Sequence, residues 1–220
     1  MRIRANHQTG PTLYGLVRME VRRINADVDI MITGAHQENP RVAIDAAAIA
    51  IPSAWPQNTR TRDGVDYRIR PIKADDRERD RAFIAGLSAQ SRRSRMMGLI
   101  REPSAELLDH VVRVDYRREM TLVAVIGEGA DEAIIAVARY GGNPAYCELA
   151  VAVADEWQAR GIGTHLSDLL FAYAKAHGVR RVYATLPADD RRMLKFADDL
   201  CMRVRRSADD NSIVEAWRTL

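Results

Sequence analysis

Between Met120 and Val153 three apolar runs follow one another closely, and they constrain the fold more than any other stretch. They are MTLVAVI (Met120 to Ile126), EAIIAVARY (Glu132 to Tyr140) and AYCELAVAV (Ala145 to Val153). The separators, GEGAD and GGNP, are turn sequences of hairpin length. Strands joined this way pair antiparallel, so the centre of the chain reads as a three-stranded meander.

The flanks extend this reading. VDYRIRPI (Val65 to Ile72) is a strand ending at Pro71. KADDRERDRAFIAGLS predicts a helix capped by Asp75 or Asp76, with Phe83, Ile84 and Leu87 inward. SAELLDHVVRVDY opens on Ser104 and repeats Leu107, Leu108, Val111 and Val112 at helical spacing. After the meander a helix runs from about Ile162 to His177 and stops at Gly178. VRRVYATL is a strand, DDRRMLKFADDL a helix, and CMRVRRS with SIVEAWRTL a closing hairpin. The order predicts an α+β fold: a mixed, mostly antiparallel sheet flanked by helices. The polar stretch SAWPQNTRTRDG (Ser53 to Gly64) reads as a linker, which leaves residues 1–60 as an N-terminal extension and 65–220 as the main domain.

Composition excludes several function classes. Lys and Arg outnumber Asp and Glu by only 33 to 30 and are interleaved with them, so no nucleic-acid stripe is expected. Cys147 and Cys201 are far apart and form no C-x-x-C, which argues against a metal site or a disulfide framework. No run is long enough for a membrane helix, and MRIRANHQTGPTLYGLVRME lacks the apolar core of a signal peptide. These features point to the cytoplasm, with no nucleic-acid or membrane partner.

DEWQARGIGTHL (Asp155 to Leu166) lies where the third meander strand gives way to a helix. A helix N-terminus presents unpaired N–H groups and a partly positive dipole, and glycines let an anion approach the backbone. A tight turn with small residues for packing is the simpler alternative. A P-loop is excluded, because Thr164 and His165 stand where Lys-Ser/Thr is required. A Rossmann loop is excluded because it needs three glycines and a parallel βαβ unit.

The segment from Cys147 to Leu186 resembles the central block of GCN5-related N-acetyltransferases, the GNAT superfamily, whose R/Q-x-x-G-x-G/A signature is matched by Gln158, Gly161 and Gly163. YRIRPIKADD, GLSAQSRRSR, DYRREMTLVAV and LPADDRRMLKFADDL further resemble the acetyltransferase domain of bacterial Pat-type protein lysine acetyltransferases. The resemblance implies a GNAT fold and acetyl-CoA as cosubstrate. It puts the pyrophosphate against the backbone of Gln158, Ala159, Arg160, Gly161, Ile162, Gly163 and Thr164, with Arg160 adding charge. The pantetheine arm then pairs with the strand around Val151 and Val153. It implies Glu148 as general base for an amine acceptor, a protein lysine or a small molecule, and an oxyanion donor near Val151. Read alone, Glu148 is equally a solvated residue on an outer strand face.

Two departures stand out. Asp190 in DDRRML replaces the subfamily's Asn near the cofactor, and Cys201-Met202 replaces its Gly-Phe. Phe196 stands on the helix where many GNAT enzymes carry an acidic Tyr, so the thiolate is expected to leave unassisted. Cys147 points to the face opposite Glu148, as core packing. His165 and His110 carry little signal, and SRRSR (Ser91 to Arg95) reads as a basic surface between two helices. Residues 1–60 faintly resemble the end of a synthetase portion and are taken as a packed extension or a homodimerisation arm. The rival functions are acetylation of a small amine metabolite and a non-catalytic CoA-binding module.

Overall fold

The computed structural model describes residues 55–96, 105–116, 118–143, 145–208 and 210–220. Ser104 and nearly all of the N-terminal extension lie outside them. Eight strands form one sheet: β1 (Gln57–Arg60), β2 (Asp66–Pro71), β3 (Met120–Ile126), β4 (Ala133–Asn143), β5 (Tyr146–Val153), β6 (Arg181–Pro187), β7 (Arg203–Arg206) and β8 (Ile213–Thr219). Among the described residues five α-helices accompany them: α1 (Arg77–Gly86), α2 (Ala89–Met96), α3 (Ala105–Val112), α4 (Ile162–Ala176) and α5 (Arg191–Asp199). The strand order is β1-β2-β3-β4-β5-β6-β8-β7. Every adjacent pair is antiparallel except β5 and β6.

The meander lies at the centre. β3 is covered on both faces, which is why its sequence is one continuous apolar run. One face packs Leu122, Ala138, Tyr140 and Leu149 with the α4 stripe Leu166, Leu170, Phe171 and Ala174. The other packs Val123, Val125, Val137 and Ala152 with Phe83 and Ile84 of α1 and Leu108, Val111 and Val112 of α3. Each fully buried aliphatic side chain contributes roughly 2 kcal/mol.

Four readings change. The linker reading gives way at Gln57–Arg60, which pairs with β2 as an added edge strand. Gly141 to Asn143 belong to β4 rather than to a turn, facing Glu148, Cys147 and Tyr146 of β5. SRRSR is helical and forms most of α2, a helix without an apolar stripe. Its start is fixed by Ser88, whose Oγ accepts the Ser91 N–H at 3.2 Å. Asp76 precedes α1 as predicted, but its carboxylate takes the Lys73 N–H and Arg70 instead of capping the helix.

Candidate active site

β5 pairs with β4 along its whole length, but with β6 at only two positions, Cys147↔Val182 and Glu148↔Tyr183. Past Glu148 the parallel strands part, and β6 continues as the partner of β8. A cleft opens in the fork, lined by Val151, Ala152 and Val153 of β5, Gly163 of α4, and Met193 and Phe196 of α5. Ser91, Gln158 and Arg192 supply its polar groups.

Glu148 stands where the strands part, and it is half-buried. Cys147 and Leu149 join the cluster with α4, whereas Ala150 and Ala152 pack with the α1–α3 cluster. The two-residue period of a strand therefore puts Glu148 on the α1–α3 face and Cys147 on the other. Cys147 is fully buried, and burial raises its thiol to about 11, consistent with packing. Tyr146 and Tyr183 share the Glu148 face and stack with ring centroids 4.2 Å apart. Burial, with the Glu148 charge adding to it, raises the Tyr183 phenol, so it stays protonated at neutral pH.

The loop after β5 turns through a 3-10 segment, Asp155–Trp157, into α4. Ala159 and Gly161 both have left-handed backbone, φ 61° and 88°. Left-handed residues at alternate positions allow successive N–H groups to converge on one anion. The first turn of α4 holds no acidic residue. The two signature glycines are required for different reasons. Gly161 supplies the positive φ that starts α4. At Gly163 a Cβ would sit 3.3 Å from Val153 Cγ2 and 3.4 Å from Phe196 Cε2, so glycine there keeps β5, α4 and α5 in close contact. Ile162 is buried in the core beneath the loop, and Thr164 lies in the first helical turn.

Gln158 uses its side chain as a tie. Its Nε2 donates to the Val153 carbonyl at 2.9 Å and to Ser91 Oγ at 3.1 Å, while Oε1 accepts from Arg192. Asp155 fastens α2 to the same loop by accepting from Ser88 N–H (2.8 Å), Ser88 Oγ (2.7 Å) and Ser91 Oγ (2.8 Å). Burial pushes the Asp155 carboxyl up, but these hydrogen bonds outweigh it and hold the group below the usual carboxylate range. Arg160 is half-buried and already engaged: it pairs with Asp63 at 2.9 Å and lies over the Trp157 ring, 4.9 Å from its centroid. Asp190 caps α5, accepting the Met193 N–H at 3.0 Å. Cys201 holds left-handed backbone just after that helix, φ 54°.

Sequence reasoning missed Ser91, Arg192 and the cleft-lining role of Phe196. Arg192 was legible in principle: a cap at Asp190 puts residue 192 in the first turn of the helix that follows.

Fold and cleft together define an acyl-transferring domain of the kind the signature suggested. The pattern of the Acetyltransferase (GNAT) family matches residues 92–200. Acetyltransferase PA5475 of Pseudomonas aeruginosa is 34% identical over 154 residues, covering 69% of this chain and 83% of that protein. The chain belongs to the GNAT family of acetyltransferases. Acetyltransferase Pat of Mycolicibacterium smegmatis is 33% identical over 148 residues, 66% of this chain but 44% of Pat, so this chain spans less than half of that relative. The crystal structure of the GNAT domain of S. lividans PAT superposes with a TM-score of 0.71 at 28% identity, covering 78% of this chain and all of that one. Among the described residues no helix is long and apolar enough to cross a membrane.

Proposed function

We propose that this enzyme transfers the acetyl group of acetyl-CoA to an amine, with Glu148 as general base and a protein lysine as acceptor. The observation that carries the reading is the position of Glu148, a half-buried carboxylate at the fork where β5 and β6 part. The cleft suits the cofactor. Its apolar walls, Val151, Val153, Met193 and Phe196, fit a slender chain, and the acid-free start of α4 fits its phosphates.

The cosubstrate supplies an activated thioester. The protein contributes three things. Glu148 removes a proton from the incoming ammonium, because only the neutral amine is a nucleophile. A backbone N–H of β5 near Val151 stabilises the carbonyl oxygen as it gains charge. Gln158, tied to Val153, Ser91 and Arg192, fixes the cleft walls. With Phe196 in place of a phenol beside Gly163, the thiolate departs without a tyrosine acid from α5.

A protein lysine is favoured over a small polyamine by the surroundings of Glu148. The exposed Tyr146 ring, stacked on Tyr183, lies on the same sheet face, within electrostatic reach of Arg181 and Arg205 as well as Glu215. That is an open aromatic platform rather than an acid-lined pocket. Aromatic faces accept an alkyl chain with a cationic head. A cytoplasmic setting accords with two free cysteines, one of them exposed.

Glu148→Gln is the test. Turnover of lysine-containing peptides should fall by about 10²–10⁴-fold while acetyl-CoA affinity is kept. Full turnover in the variant would reject Glu148 as the base. A wild type that binds acetyl-CoA yet acetylates neither peptides nor small amines would favour a non-catalytic module.

A further inference from the structure

Resting on the acetyl-CoA reading above, we propose that Arg62 is a phosphate-binding residue of the cofactor site, carried there by the β1–β2 hairpin. That hairpin precedes residues 92–200, where the family pattern lies.

The sequence points to Arg160 as the loop's cation, but Arg160 has its charge met by Asp63 and its plane occupied by Trp157. Arg62 differs. It is exposed, and it forms no ion pair among the described residues. Its side chain lies along Gly161. A Cβ built on Gly161 would meet Arg62 Nε at 3.2 Å, Cγ at 3.6 Å and Cδ at 3.7 Å. Gly161 thus serves twice, giving the left-handed turn into α4 and leaving room for this arginine.

The hairpin holds Arg62 there. Thr61 N–H donates to the Val65 carbonyl at 2.9 Å, and Val65 N–H returns to Thr61 Oγ1 at 2.9 Å. Arg60 and Asp66, opposite one another, pair at 2.6 Å. Arg62 N–H donates to the Arg160 carbonyl at 3.4 Å, and the Asp63–Arg160 pair makes a second link. The paired arginine is therefore a hinge pin between hairpin and loop, and the unpaired one faces the anion. A guanidinium suits this duty because its fork matches two phosphate oxygens at once.

Calorimetric titration of the full chain with acetyl-CoA, and with its analogue lacking the 3′-phosphate, tests this. R62Q should weaken acetyl-CoA binding roughly tenfold, with R62K recovering part of it. R81Q, at an exposed arginine paired with Glu78 on α1 at 2.8 Å and away from the loop, should leave it unchanged. A deficit in R62Q that persists with the analogue assigns Arg62 to the pyrophosphate, and one that disappears assigns it to the 3′-phosphate; both support the proposal. Unchanged binding by R62Q, with an unchanged unfolding midpoint, would overturn it. So would a deficit in R81Q equal to that of R62Q, which would trace the loss to net charge rather than to this arginine. Failure of the wild type to bind acetyl-CoA would instead remove the cofactor reading itself.

Discussion

Cys201 occupies a backbone position that glycine holds at the matching end of α4. After α4, Gly178 is left-handed, with Val179 N–H bonded to the Ala174 carbonyl at 3.0 Å. After α5, Cys201 is left-handed, with Met202 N–H bonded to the Ala197 carbonyl at 2.9 Å. Both ends use one capping geometry, but only one has the residue that adopts it without strain. Cys201 is exposed, so its side chain contributes little packing. Cys201→Gly should stabilise the protein by about 1 kcal/mol and raise the melting temperature by roughly 2–4 °C, readable by calorimetry. Gly163→Ala should act differently. Its new methyl would enter the gap between Val153 and Phe196, so acetyl-CoA affinity should fall by more than stability does. Equal losses in both would place the defect in the fold rather than the cleft.

At the level of elements, α2 rests on its N-terminal contacts more than on its own composition. Asp155→Ala removes the acceptor for Ser88 and Ser91, and should cost about 1 kcal/mol. Amide exchange should quicken in α2 while α4 stays protected. No change in α2 would show that other contacts seat it. This helix also marks the limit of sequence reading. α4 was legible because Leu166, Leu170 and Ala174 repeat every four residues. AQSRRSRM has no such stripe, and its support comes from a carboxylate more than sixty positions downstream. β1 was missed for a related reason: an edge strand of four polar residues reads as a linker. The signature loop stood out by its paired glycines between strand and helix, and Glu148, a carboxylate in an apolar run, was singled out mainly through the family resemblance. The fork was not, because a partial strand pairing leaves no mark in the order of residues.

Across the whole molecule, the deepest electrostatic feature joins β2, the start of α1 and β4. Arg70 pairs with the fully buried Asp76 at 2.6 Å and with Glu132 at 2.5 Å, and Arg68 adds a 2.8 Å contact to Glu132. Burial raises both carboxyls, but the Arg70 hydrogen bonds prevail and both lie below their usual values. A depressed folded pKa means stability that is present above the unfolded value, near 4, and lost as pH falls through the folded one. Melting temperature should therefore hold above about pH 5 and fall steeply below pH 4. Arg70→Met leaves the buried Asp76 with only its longer Arg79 contact at 3.4 Å, while Glu132 keeps Arg68, and should cost about 3–5 kcal/mol at pH 7. That penalty should shrink in acid, where protonation relieves it. A penalty independent of pH would mean that lost packing, not charge, is responsible.

The stacking of Arg160 on Trp157 gives the loop an optical label of its own. Indole emission is sensitive to a charge resting on the ring, and this ring belongs to the turn that leads into α4. Arrival of an anion at the loop should change the tryptophan fluorescence, and Trp157→Phe should abolish the change while Trp55 and Trp217 keep glowing. Cofactor binding can then be followed in a stopped-flow cell, on the unmodified protein, before any acceptor is known.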